Sequence, residues 1–308
     1  MREQRGELSG VSIDDITGES AMRMPSRPSP PVPPNGRPVR KDEIELADQG
    51  VYIESWLPER RSRRRPLLFV HGELAGSWLW ERYLAFFASR GWEAHALNLR
   101  NHFWSVTVDP ATLSFDSYVD DVVAALDRLA TDTVVVGHGM GGLLAMKAAE
   151  RHRPAALVLL SSELPRALRT PARSFELAEV PDAYGKTLTG WSTLPEKLQR
   201  DHRDLSLADV LRIQHMLGQK ARESGQARRQ MMRGIEVDRA AVEGIPRMVI
   251  GGGLDRQVDE PDSLRLAEWL GAVYEPFGAH SHYGLVLAEQ GYLQVAQAIK
   301  AFLEANRL

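Results

Sequence analysis

The feature that most constrains how this 308-residue chain folds is the run TVVVGHGMGGLLAM at residues 133–146. Three β-branched residues in succession, Val134, Val135 and Val136, spell a short buried strand, and the glycines after them mark a turn too tight for side chains. A helix follows at once. Gly141 and Gly142 let its first turn lie against the strand, and Leu143, Leu144, Met146 and Ala148 continue as an apolar helix surface. A strand that bends sharply into a helix aims the free backbone N–H groups of the helix start at whatever sits on the bend. The residue at the apex is Gly139, framed by Gly137, His138, Met140 and Gly141.

Around this unit, strand and helix patterns alternate. Residues 66–70 (PLLFV), 93–99, 156–162, 247–252 and 272–277 read as strands; residues 115–129, with Tyr118, Val122, Val123, Leu126 and Leu129 three and four apart, read as a helix, as do 292–303. A hairpin is expected over 43–56 about Asp48, Gln49 and Gly50. The alternation predicts an α/β fold with a mainly parallel sheet covered on both faces. Between 163 and 243 no strand pattern stands out, while 195–202 and 206–217 read as helices, the second opened by Ser206 as its N-cap. The expected organisation is therefore a sheet domain from residues 46–162 and 244–308, interrupted by a helical cap at 163–243. Met216, Met231, Met232 and Trp191 are candidates for an adaptable apolar lid. Residues 1–45 form a proline- and arginine-rich extension, expected to be disordered because such composition cannot build a core.

Composition narrows the function classes. A net charge of −3 gives no reason to expect nucleic acid or an anionic membrane as partner. No apolar run reaches membrane-spanning length and no signal pattern follows Met1, so a cytoplasmic protein is expected. The absence of cysteine removes disulfides, thiolate nucleophiles and cysteine-held metals. No phosphate loop, dinucleotide fingerprint or metal-ligand spacing is present, and His95, His102 and His138 are scattered, so neither cofactor nor metal is expected. Oligomeric state is not indicated. The basic run at 60–65 lies between two strands and reads as a solvated turn rather than a phosphate site.

The framed turn resembles the nucleophile elbow G-x-S-x-G of the α/β-hydrolase superfamily, and three further pieces support the resemblance. Phe69, Val70, His71 and Gly72 match the strand-His-Gly segment whose following N–H contributes to the family's oxyanion hole. GGGLDRQV places Asp255 just past a strand, where the family carries its acid. FGAHSHYGLVLAEQGY supplies the late histidine: His282 by its distance to the closing helix, or His280 as the alternative base. The resemblance implies oxyanion N–H groups at Glu73 and Met140. His138, Trp78, Phe103, Trp104 and Trp191 are further expected to line a largely apolar pocket for a small molecule with a carbonyl.

Two departures matter. Glu73 puts a carboxylate near a developing negative charge, and the serine position itself is Gly139, which can form no acyl-enzyme. Three readings follow: an enzyme in which His282, oriented by Asp255, acts as general acid/base on substrate or on a water, in lyase, isomerase, cyclase or hydrolytic chemistry; an esterase or thioesterase carrying an engineered serine-to-glycine change; and a catalytically silent small-molecule binder.

Overall fold

The computed structural model describes residues 38–308 apart from 61, 130–131 and 218–221. Most of the expected extension thus lies outside the described residues. Its boundary moves, however, because β1 (Val39–Leu46) already pairs antiparallel with β2 (Val51–Pro58), from Val39 opposite Pro58 to Leu46 opposite Val51. The sheet begins at Val39, not at 46: Ile44 and Leu46 pack on the core and hold that edge in place.

Beyond this hairpin the chain runs β3 (Leu67–Val70), α1 (Glu81–Ala88), β4 (Ala94–Asn98), α2 (Phe115–Leu129), β5 (Val134–His138), α3 (Met140–Ala148) and β6 (Ala156–Leu160). It then leaves the sheet for α4 (Ser174–Ala178), β7 (Ala183–Tyr184), α5 (Pro195–Asp201), α6 (Leu207–Met216), β8 (Glu223–Ser224) and α7 (Gly225–Arg233). It returns through β9 (Arg247–Gly252), α8 (Glu260–Leu270), β10 (Val273–Phe277), α9 (Gly284–Leu287) and α10 (Glu289–Ala305).

The main sheet has the order β1-β2-β4-β3-β5-β6-β9-β10, parallel from β4 to β10. Side chains alternate across it as strand geometry requires. Leu67, Phe69, Val134, Val136 and Val158 face a core shared with α1 and α10, whereas Leu68, Val70, Val135, Leu157 and Val249 face one shared with α2, α3 and α8. After β3 the chain goes to β4 on one side and later to β5 on the other. The carboxyl ends of β3 and β5 therefore border a crevice where an α/β sheet characteristically holds its ligand.

The segment between β6 and β9 contributes no strand to the main sheet. It does contain one short ladder the sequence pattern missed, Ala183 opposite Ser224 and Tyr184 opposite Glu223. Two residues per strand are too few for alternation to register. Ser206 caps α6 by accepting from the Asp209 N–H, and Trp191, Leu198, Val210 and Ile213 join the α1/α10 core. No described helix is long and apolar enough to cross a membrane.

Candidate active site

Gly139 ends β5 with φ 56° and ψ −123°, a conformation that side-chain-bearing residues rarely adopt. Its neighbour Gly141 is required for a different reason. A Cβ there would collide with the main-chain carbonyl oxygens of Val70 and His71, so α3 can start directly on β3 only with glycine at this position. Met140 is the first residue of α3, which leaves its N–H without a partner inside the helix. Gly72 crosses the turn closely: a Cβ on it would lie 3.6 Å from the Met140 nitrogen. The end of β3 and the start of α3 thus present their main chains to one small space.

His282 faces that space. Its Nδ1–H donates to Asp255 Oδ2 at 2.8 Å, and Asp255 Oδ1 accepts from the N–H groups of Gln257 (2.7 Å) and Val258 (3.1 Å). Burial pushes the Asp255 carboxyl up, but the His282 charge and hydrogen bond outweigh it and hold the group down at about 2. With Nδ1 committed, Nε2 points to Gly139. A Cβ built on Gly139 would sit 3.3 Å from Nε2, so the side-chain direction of the glycine is aimed at the imidazole.

His280, the alternative base, does not meet Asp255. Its Nε2 lies 3.2 Å from Gln294 Oε1 and its Nδ1 lies 3.5 Å from Asp204 Oδ2, on the side toward α10. His138 lies tilted against His282 with ring centroids 4.2 Å apart, and its Nε2–H donates to the His282 carbonyl at 3.0 Å. Burial foremost, and the nearby His282 second, push its pKa down to about 3. His138 is therefore a neutral strut that fixes the backbone carrying the dyad histidine.

The Glu73 carboxylate is neutralised by a cation the sequence reading did not find. Arg228 Nη1 donates to both of its oxygens at 2.8 and 2.9 Å, and the Tyr184 hydroxyl donates to Oε1. Both partners come from the segment between β6 and β9. No local signal in that segment could have named them, because the pairs span more than a hundred residues.

The cavity over Gly139 is about 20 Å3 and is lined by Gly72, Glu73, His138, Met140, Trp191 and Tyr283 among others. That is room for about one water. It shares Glu73, Glu163, Thr189 and Gln257 with an outer cavity of about 300 Å3 lined also by Arg169, Arg228, Met231 and Met232. Trp191 is held there by stacking on His202 and an edge contact to Tyr283. Three expected pocket aromatics lie elsewhere. Trp78 is buried in the α1/α10 core with Phe103 tilted against it at 6.4 Å, and Trp104 is 40% exposed beside Tyr52. The 3-10 turn Ser77–Trp80 buries Trp78, and the other two aromatics pack on it and on β2: Phe103 against Trp78 and Trp104 against Tyr52. The outer cavity is charged rather than apolar, Arg228 facing Glu73 and Arg169 facing Glu163.

Comparison with known proteins agrees with this fold. The profile of the alpha/beta hydrolase family matches residues 67–298. Among solved structures, a thermophilic esterase superposes with a TM-score of 0.62 at 20% identity, over 87% of this chain and 99% of its own. A hydrolase from Pseudomonas aeruginosa PA01 gives 0.62 at 22% identity, over 86% and 98%. A bromoperoxidase from Bacillus anthracis gives 0.65 at 15% identity, over 86% and 100%. At these identities the structures bear on the fold alone.

Proposed function

We propose that this chain, which belongs to the alpha/beta hydrolase family, acts on a carbonyl-containing small molecule by acid/base chemistry at His282, with no covalent serine intermediate. The observation that carries the reading is the Asp255–His282 pair aimed at an empty side-chain position, with Nε2 3.3 Å from where a Cβ would stand on Gly139. An imidazole so held can take a proton at Nε2 while Asp255 stabilises the cation that forms. The cavity beside it fits about one water, which favours an activated water attacking the carbonyl over proton removal from a large substrate. The N–H groups of Met140 and Glu73 would receive the developing oxyanion. The Glu73 charge does not oppose this, because Arg228 cancels it. The segment 163–243 would act as the lid, since it supplies Trp191 to the inner cavity and Arg228 to its mouth.

A second reading rests on the same vector: a serine hydrolase framework from which only the hydroxyl is missing. Turnover of p-nitrophenyl acetate and of an acyl thioester separates the two readings. Under the first, the chain as it stands hydrolyses slowly and is not labelled by a serine-directed phosphonate. His282→Ala abolishes the activity, and Asp255→Asn lowers it on the order of 10²–10⁴-fold. Activity unchanged in His282→Ala would exclude the mechanism. No turnover by the native chain, with ligand still retained, would mark a binder.

A further inference from the structure

A third cavity lies at the other end of the sheet from Gly139, and it is larger than either of those just described. Its volume is about 730 Å3, and Pro58, Arg60, Ser62, Arg64, Arg90 and Lys300 are among its lining residues. Its position follows from topology. Pro58 closes β2, which runs antiparallel to β4 with Trp56 opposite Ala94, so this rim adjoins the amino ends of the parallel strands, whereas Gly139 lies at their carboxyl ends.

Four cations line this groove against one lining carboxylate, Glu59, on a chain whose net charge is −3. Two of them are fixed by aromatic faces. The Arg64 guanidinium lies 3.6 Å from the Trp92 ring centroid, and that of Arg90 lies 3.7 Å from Phe86 with Nη1 donating to the Phe86 carbonyl at 2.9 Å. Stacking holds a guanidinium plane in place yet leaves its charge and most of its N–H groups free. Glu304 reaches Arg64 at 3.4 Å and Lys300 at 2.6 Å. Arg60 and Arg90 have no carboxylate partner among the described residues. Cations brought together in one concave site, two of them held before any ligand arrives, repel one another unless an anion joins them.

We infer that this groove is a binding site for a phosphate-bearing ligand with at least two negative charges, separate from the active site. Guanidinium forks match phosphate oxygens in bidentate geometry, and the volume is that of a small-molecule site. The basic run at 60–65, which alone reads as a solvated turn, acquires a second wall from the end of α1 and from Lys300 of α10, and only folding brings these together.

The test is calorimetric titration of the full chain with inorganic pyrophosphate at low ionic strength, beside sedimentation with phosphatidylcholine vesicles carrying phosphatidic acid. A saturable single site for pyrophosphate identifies a soluble phosphate ligand; binding to the vesicles alone identifies a lipid headgroup, and either supports the site. Arg90→Gln and Arg60→Glu should each weaken binding roughly tenfold, as loss of one charged contact does. Added salt should weaken it progressively. Arg60 is exposed and bonded to nothing described, so its variant keeps the test sound should Arg90→Gln perturb folding. Asp255→Asn should leave binding unchanged, which keeps the result independent of any catalytic reading. No saturable binding to either probe, or binding in both variants as tight as in the unaltered chain, would overturn the inference.

Discussion

Gly139 combines two properties that pull in opposite directions. Its φ of 56° suits glycine, so a side chain there costs roughly 1–3 kcal/mol of strain. Yet its Cβ direction points at a histidine already oriented by a buried acid. Gly139→Ser should therefore lower the melting temperature while creating esterase activity, and His282 must retreat by a few tenths of an ångström to admit the new Cβ at 3.3 Å. The expected outcome is p-nitrophenyl acetate turnover above the native level together with new labelling by a phosphonate. A variant that is folded but unlabelled would show that the oxyanion N–H groups are not placed for acyl transfer. At this scale the sequence located the sharp turn at Gly139 and the pairing of His282 with Asp255, because such motifs travel with local backbone geometry near strand ends. It misled for Trp78, Phe103 and Trp104, since an aromatic residue in a loop carries no sign of whether the loop folds toward the cavity or the core.

At the scale of elements, Glu223 of β8 joins three parts of the molecule. Its Oε1 accepts from the Leu74 N–H and from His102 Nε2, both at 2.7 Å, and its Oε2 accepts from the Tyr118 hydroxyl at 2.9 Å. Because His102 Nδ1 also lies 2.9 Å from the Arg100 carbonyl, both ring nitrogens face acceptors and the ring is an imidazolium. Burial works against that charge, but the Glu223 carboxylate outweighs it and raises the His102 pKa above 6.5. The pair fastens the segment after β3, which carries Glu73, to the segment between β6 and β9. Glu223→Ala would strand a buried cation together with the Leu74 N–H, at a cost of roughly 3–5 kcal/mol, whereas Glu223→Gln keeps an acceptor and costs less. Guanidinium denaturation at neutral pH measures both, and a loss below about 1 kcal/mol for Glu223→Ala would refute the latch. Nothing in the sequence marks this residue. A glutamate in a helical insertion reads as solvated, and its partner histidine lies 121 positions earlier.

For the molecule as a whole, the alternation of strand and helix was readable because the central parallel strands β3, β5, β6 and β9 are largely buried apolar runs. The charge pairing between Glu73 and Arg228 was not, since it depends on contacts distant in sequence. Those distant contacts also set the response to acid. His71, His95 and His138 are buried and neutral, with pKa values pushed down from 6.5 to about 3, 4 and 3, by burial first and then by the neighbouring His102, Arg128 and His282 respectively. Unfolded, each would bind a proton below 6.5. As pH falls below 6.5 the unfolded chain comes to hold up to about three more protons on these three groups than the folded one, so that between about pH 4.5 and 5.5 they alone lower stability by up to roughly 4 kcal/mol per pH unit. His102 acts on the other side: its raised pKa adds stability that is complete below 6.5 and is lost as pH rises through its folded value. Glu223 and Asp255, both held at about 2, contribute stability that is present above their ordinary 4.5 and 3.8 and is lost only as pH falls through about 2. The sum is a stability maximum near neutrality with a steep acid limb. For a total of roughly 5–15 kcal/mol, a slope of that size brings unfolding within about one to four pH units below 6.5. Calorimetric melting from about pH 8 down to pH 4.5 should show the midpoint dropping steeply below about pH 6.5. His95→Gln, which removes one of the three protons, should make the limb shallower by about a third. A midpoint that stays level down to pH 4.5 would mean that these histidines are not buried as neutral rings.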